Sequence, residues 1–187
     1  MESPERCIRT RGIKAASQAL AEHGPRASLD KVAALAGCPK ASLARVFDTK
    51  EALLDAALRA LAEQALELLA RSCELAGGGR AGAYAAAAAA ARAANRPGFP
   101  GCPLGAAASS LAELPWAAPA VRDHKARVVA FYAAALLPEM GDEALPMARA
   151  VALVCDGAAL NAGAGLGPDF EAAALMALAA LLLAAPR

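Results

Sequence analysis

The sequence predicts an all-α chain, and three observations carry that prediction. The hydrophobic fraction is 58% while the aromatic fraction is 4%. Alanine makes up the excess, and alanine is the strongest helix former. No run of alternating β-branched residues is long enough for a strand. Glycine and proline cut the chain into helix-length pieces, at Gly24 and Pro25, Gly37 and Pro39, Gly77 to Gly79, Pro115, Pro138, and Gly163 to Pro168. A chain of 187 residues is long enough for one well-packed core or two small ones.

The pattern predicts a first helix over 4–23, with Ile13, Ala16 and Leu20 on one face. Gly24 and then Pro25 end it. Ser28 is a good N-cap for a second helix, and Asp30 in its first turn favours the helix dipole. Leu29, Val32, Ala33 and Ala36 make its apolar face, and Gly37 supplies the turn. Pro39 suits the first position of a third helix, where a missing N–H costs nothing. Leu43, Val46 and Phe47 then point into a small core.

Asp48 and Glu51 resemble a capping box, so a fourth helix is expected from near Thr49 to about Leu75. An alanine-dominated helix follows over 81–95, then the loop RPGFPGCPLG. Further helices are expected over 104–114, 119–137, 143–161 and 169–185, with breaks at Pro115, Pro138 and Gly141.

Residues 28–54, SLDKVAALAGCPKASLARVFDTKEALL, are the most informative stretch. Two short helices across a tight Gly turn, the second carrying small and basic residues, make a helix-turn-helix that reads a DNA major groove. The charge distribution agrees. Residues 1–50 hold nine Lys and Arg against five Asp and Glu, a net of +4, whereas the remainder nets −3. Arg45 is the sole Arg on the reading helix, and its fork suits guanine O6 and N7, although contact with phosphate alone is the competing reading. Lys40 and Lys50 suit phosphate, and small Ala41 and Ser42 allow close approach to base edges. Ser28, at a helix N-terminus, is both a cap and a phosphate-binding position.

Other classes fare worse. The five cysteines, at 7, 38, 73, 102 and 155, form no CxxC pair or Cys/His cluster, so neither zinc nor a disulfide framework is expected. Cys38 and Cys102 read as packing residues. The polar N-terminus lacks the apolar core of a signal peptide, and reduced thiols point to the cytoplasm. Mean hydropathy is +0.37, but the longest apolar run, 172–185, is shorter than the roughly 20 residues that span a bilayer. With two histidines and no nucleophile–base pair, an enzyme is not expected, nor is a cofactor.

Helices 143–161 and 169–185 are apolar on more than one face, which predicts pairing with a second copy into a four-helix bundle. Asp156 is conspicuous within ALVCDGAALNAG. It pairs across a dimer, meets a ligand, or faces a wet crevice.

The residues AASQALAEHG, SLDKVAALAG, PKASLARVF and TKEALL together resemble the tetracycline-repressor (TetR) family of bacterial transcription regulators. The likeness covers about residues 8–58, and GCPLG at 101–105 looks like the start of that family's sixth helix. The resemblance implies a DNA-binding domain over 1–50 and a helical ligand-binding and dimerisation domain over 51–187. It implies a homodimer on a palindromic, double-stranded DNA operator, released by a small effector. The residues carried over to DNA are Ser28, Lys40, Ala41, Ser42, Arg45 and Lys50. Ala44 stands where the family usually has a Tyr that reaches phosphate, Val46 where it often has His or another aromatic, and Pro39 where it has a capping Ser or Thr. A helical scaffold with a degenerate helix-turn-helix is the alternative. For the effector pocket, taken as apolar, the candidates are Tyr84, Trp116, Tyr132, Asp156 and Asn161. Phe99, Phe131, Met140 and Met147 are candidate apolar wall, while His124 is expected to face solvent.

Overall fold

The computed structural model describes residues 3–96 and 101–184. Phe99 lies outside these residues. Among those described there are nine α-helices and no strand. They are α1 (Pro4–His23), α2 (Leu29–Ala36), α3 (Lys40–Val46), α4 (Lys50–Leu75), α5 (Gly79–Ala94), α6 (Pro103–Ala108), α7 (Ala118–Met140), α8 (Ala144–Gly163) and α9 (Gly167–Leu182).

The N-terminal helices begin and end where local chemistry directs. Ser3 Oγ accepts the Arg6 N–H at 3.3 Å, and Ser28 Oγ accepts the Lys31 N–H at 3.2 Å. Gly37 closes α2 at φ +59, a left-handed conformation that glycine adopts without strain. Two cap assignments differ from the sequence expectation. Pro39 is the N-cap residue of α3, not its first helical residue: its ψ is 142 and its carbonyl accepts the Ser42 N–H at 2.9 Å. Thr49, not Asp48, caps α4, with its Oγ1 accepting the Ala52 N–H at 3.0 Å. The backbone of Thr49 is in the β region (φ −138, ψ 163), the usual N-cap conformation.

Farther along, two boundaries move. α6 stops at Ala108 rather than running to 114, because turns through Ser109 and Ser110 lead into Pro115, which disfavours helix at Leu114. α7 passes through Pro138 and ends at Gly141, φ +51. A proline in the last turn forfeits one backbone bond, and two more residues still wind.

Two principal cores result. The first joins α1, α2 and α3 to the first half of α4 through Ala16, Leu20, Val32, Leu43, Phe47, Leu54 and Leu58, and extends past residue 50 to Leu104, Ala107, Ala117, Ala120 and Val121. The second joins the end of α4 to α5, α7, α8 and α9 through Leu69, Ala83, Tyr132, Leu136, Val151 and Leu178. α4 therefore belongs to both, spanning about 39 Å at 1.5 Å per residue. The alanine tract of α5 is a close-packed seam: Ala83, Ala86, Ala87, Ala88 and Ala91 are buried. At Gly82 the seam tightens until a Cβ would lie 2.9 Å from the Cys73 carbonyl oxygen. No described helix is long and apolar enough to cross a membrane.

Candidate nucleic-acid interface and cavity

The geometry of α3 follows from which side it buries. Leu43 and Phe47 are sealed in the first core, so Lys40, Ala41, Ala44 and Arg45 share the outward face. Ser42 sits half-buried at the flank. Lys50 stands half-buried in the first turn of α4, and Ser28 is exposed at the start of α2. All six sequence-chosen residues thus lie on α3 or at the two helix N-termini around it, Ser28, Lys40, Ala41 and Arg45 exposed and Ser42 and Lys50 half-buried.

The charges are less uniform than their number suggests. Lys40 Nζ pairs with Asp30 at 3.0 Å, and Arg26 pairs with Glu113. Arg9 and Arg11 are bound to backbone carbonyls. The side chains of Lys14, Lys31, Arg45 and Lys50 make no hydrogen bond or ion pair among the described residues. A sequence count weights all of these equally, because their partners lie many residues away.

A cavity of about 510 Å³ opens between α6, α7 and α8. Its polar lining is Cys102, Ser109, Lys125 and Asp156, and the remainder is glycine, alanine and Leu160. Lys125 and Asp156 form an ion pair. Asp156 is half exposed, so its charge faces a wet crevice and an intramolecular partner at once.

Of the five residues chosen for the pocket, Asp156 alone lines this cavity. Tyr84 packs against the second core and Trp116 against the first. Phe131, Met140 and Met147 also pack against the second core. Tyr132 is buried there, edge-on to Phe131 at 5.2 Å between centroids, and burial raises its phenol well above its ordinary range. Asn161 turns back on its own helix, donating to the Gly157 carbonyl at 2.8 Å. Cys155 lies near the Tyr132 hydroxyl at 3.9 Å, and burial pushes its thiol up to about 11.

His124 corrects the sequence expectation. It is 8% exposed, not solvent-facing, and its Nδ1 has no hydrogen-bond partner among the described residues. Burial, with Lys125 adding to it, lowers its pKa. The charged run around it, VRDHKAR, suggested an outward face. On α7, however, position 124 follows Ala120 and Val121 inward at helical spacing. Sequence reasoning also missed Lys125 and Ser109 as lining. The Lys125–Asp156 pair spans 31 residues, and no local pattern marks it.

Among the described residues, no three metal-capable side chains converge. Residues 13–57 match the family model of bacterial regulatory proteins, tetR family. No curated protein matches the chain in sequence. Solved structures match it in fold. A TetR-family transcriptional regulator from Streptomyces coelicolor is 21% identical, with 95% of each chain covered and a TM-score of 0.82. NemR from E. coli in its reduced form is 20% identical, covering 96% of this chain and 98% of that one, with a TM-score of 0.84. These two likenesses establish the fold. A transcriptional regulator from Rhodococcus sp. Rha1 is 26% identical over 95% of this chain and 99% of that one, with a TM-score of 0.74. A helix-turn-helix segment that matches the tetR family model is thus joined to an architecture shared along nearly the whole chain with solved transcriptional regulators.

Proposed function

We propose that the chain is a cytoplasmic transcriptional repressor that binds a palindromic operator as a homodimer and leaves it when a small, largely apolar effector fills the cavity. The match of residues 13–57 to the tetR family model supports a DNA-binding regulator that is not an enzyme. The observation that carries the effector reading is the double duty of α6. Gly105, Ala106 and Ser109 line the cavity, while Leu104 and Ala107 are buried in the core shared with Leu20, Ala27 and Leu58. Just beyond α6, Glu113 holds Arg26 in the turn between α1 and α2. A ligand that displaces α6 therefore acts directly on the seat of the helix-turn-helix. Packed interiors transmit such displacement because they are close to crystal density.

Ser28, Lys40, Ala41, Ser42, Arg45 and Lys50 are the proposed DNA contacts. Arg45 reads base edges and Lys50 holds phosphate. Lys40 must first exchange Asp30 for phosphate, which weakens its share. The dimer reading is supported by exposed apolar side chains on the last two helices. Leu153 is 72%, Leu160 70% and Met176 72% exposed. Large apolar groups in such number call for a cover.

The scaffold alternative is favoured by one observation, the outward-facing Ala44 where an aromatic anchor would grip phosphate. A gel-shift with the DNA flanking its own gene, run at several stated salt concentrations and then with a panel of apolar small molecules, separates the two. Retarded DNA that a compound releases is the expected result. No retardation even at low salt rejects the regulator reading, and a monomer by light scattering at micromolar concentration rejects the dimer.

A further inference from the structure

Two arginines of α1, both solvent-exposed, are tied to the C-terminal ends of α2 and α3. Arg11 reaches the C-terminal end of α2. Its Nε donates to the Ala36 carbonyl at 3.0 Å, and its Nη2 donates to the carbonyl of Gly37 at 2.7 Å and also to that of Ala36. Arg9 reaches the end of α3. Its Nη2 donates to the Val46 carbonyl at 3.0 Å, and its guanidinium carbon lies 4.9 Å from the centre of the Phe47 ring. These carbonyls are the acceptors a helix leaves unpaired at its C-terminus, where the dipole is negative.

The backbone around these contacts is shaped to admit them. At Gly37 a Cβ would lie 3.1 Å from Arg11 Nη2, so the turn glycine leaves room for the guanidinium as well as supplying its φ of +59. At Gly12 a Cβ would lie 2.9 Å from Leu43 Cδ2 and 3.1 Å from Phe47 Cε2. The missing side chain lets α1 close onto α3 one residue beyond Arg11.

We propose that Arg9 and Arg11 are positioning residues that fix the angle of α2 and α3, and so the seating of the reading helix in the groove, and that they are not phosphate contacts. The proposal rests on α3 being the DNA-reading helix. A guanidinium is a planar fork, and Arg11 spends its fork on two neighbouring carbonyls that one ammonium could not bridge in the same way. A binding constellation needs its elements held to about 0.5 Å and 10–20°. Two charge-assisted bonds at helix ends supply that restraint. Two of the basic residues counted toward the positive N-terminal end then add nothing direct to counterion release.

The test is the binding of full-length protein to its operator and to an unrelated duplex across roughly 50–200 mM salt, for wild type, R9A, R11A and R11K. R9A and R11A are expected to weaken operator binding, R11A by about tenfold, as losing a charge-assisted bond does. The slope of log K against log salt should stay at its wild-type value, and affinity for the unrelated duplex should be unchanged. R11K keeps the stem and the charge, so it stays folded, and it should lose the same specificity because it cannot span both carbonyls. A slope shallower by about 0.9 in R11A would mark a lost phosphate contact and overturn the proposal. So would R11K binding like wild type, or operator affinity unchanged in every variant. Wild-type protein that binds no duplex at low salt overturns the DNA reading and this proposal with it, whereas the slope and rescue results leave the DNA reading standing.

Discussion

Lys125 on α7 and Asp156 on α8 form an ion pair in the wall of the cavity, and no other charged pair lines it among the described residues. Their side chains are 37% and 50% exposed. A pair that keeps this much water contributes only about 0–1 kcal/mol to stability. Its consequence is for recognition, since a ligand entering this apolar space meets one carboxylate and one ammonium. Asp156→Asn is expected to move the melting temperature by no more than about 4 °C while changing the concentration of effector that releases DNA. A large loss of stability with unaltered release would show the pair to be structural instead.

Arg45 and Lys50 should separate in their effects on DNA. Arg45→Ala is expected to cost about 1–3 kcal/mol at one operator position and to relax the base preference there. Lys50→Ala should weaken all duplexes alike and make the salt slope shallower by about one contact. Fluorescence anisotropy on the operator and on point-substituted operators measures both. Equal losses across all sequences for both variants would contradict the division.

Gly82→Ala weighs propensity against packing. Alanine is better than glycine in a helix by about 1 kcal/mol. Here its Cβ would lie 2.7 Å from Cys73 Sγ and 2.9 Å from the Cys73 carbonyl oxygen, and the carbonyl is backbone that cannot swing away. Overpacking of this kind costs about 1–3 kcal/mol, so a net loss is expected. The melting temperature should fall by several degrees, and a rise would show that α4 and α5 separate easily.

His124 gives the fold a pH dependence of definite sign. Burial lowers its folded pKa below the ordinary imidazole value of 6.5, so the unfolded chain binds the proton more readily. The stability due to neutral His124 is complete above pH 6.5 and is lost as pH falls from there through the lowered folded value. The charged groups around it are Lys125, Asp156, Arg127 and Asp123. Thermal melts of wild type and His124→Gln between about pH 5 and 7.5 should show a steeper decline on acidification for wild type. Parallel curves would remove His124 from the account.

The N-terminal half was largely legible because its signals are local. A serine that caps, a glycine that turns left-handed and a proline that follows act within three or four residues, and α1 to α4 begin within about a residue of where these signs stand. Even there the hydroxyl that caps α4 belongs to Thr49 and not to its acidic neighbour, since backbone conformation decides which side chain reaches the N–H. In the second half, alanine-rich helices look alike on every face. The sequence could not tell that Tyr132 and Asn161 face away from the cavity, or that the serines at 109 and 110 end α6.

Taken alone, then, the sequence determined that the chain is all helix, where the helix-turn-helix lies, and that α3 offers Lys40, Ala41 and Arg45 outward. All of these follow from 3.6-residue periodicity and from caps. The tertiary structure decided what the charged groups do. Arg11 meets Gly37 at a separation of 26 residues, Lys125 meets Asp156 at 31, and Arg26 meets Glu113 at 87. A hydrogen bond or ion pair is made in space over about 3 Å, and only folding brings such distant residues that close.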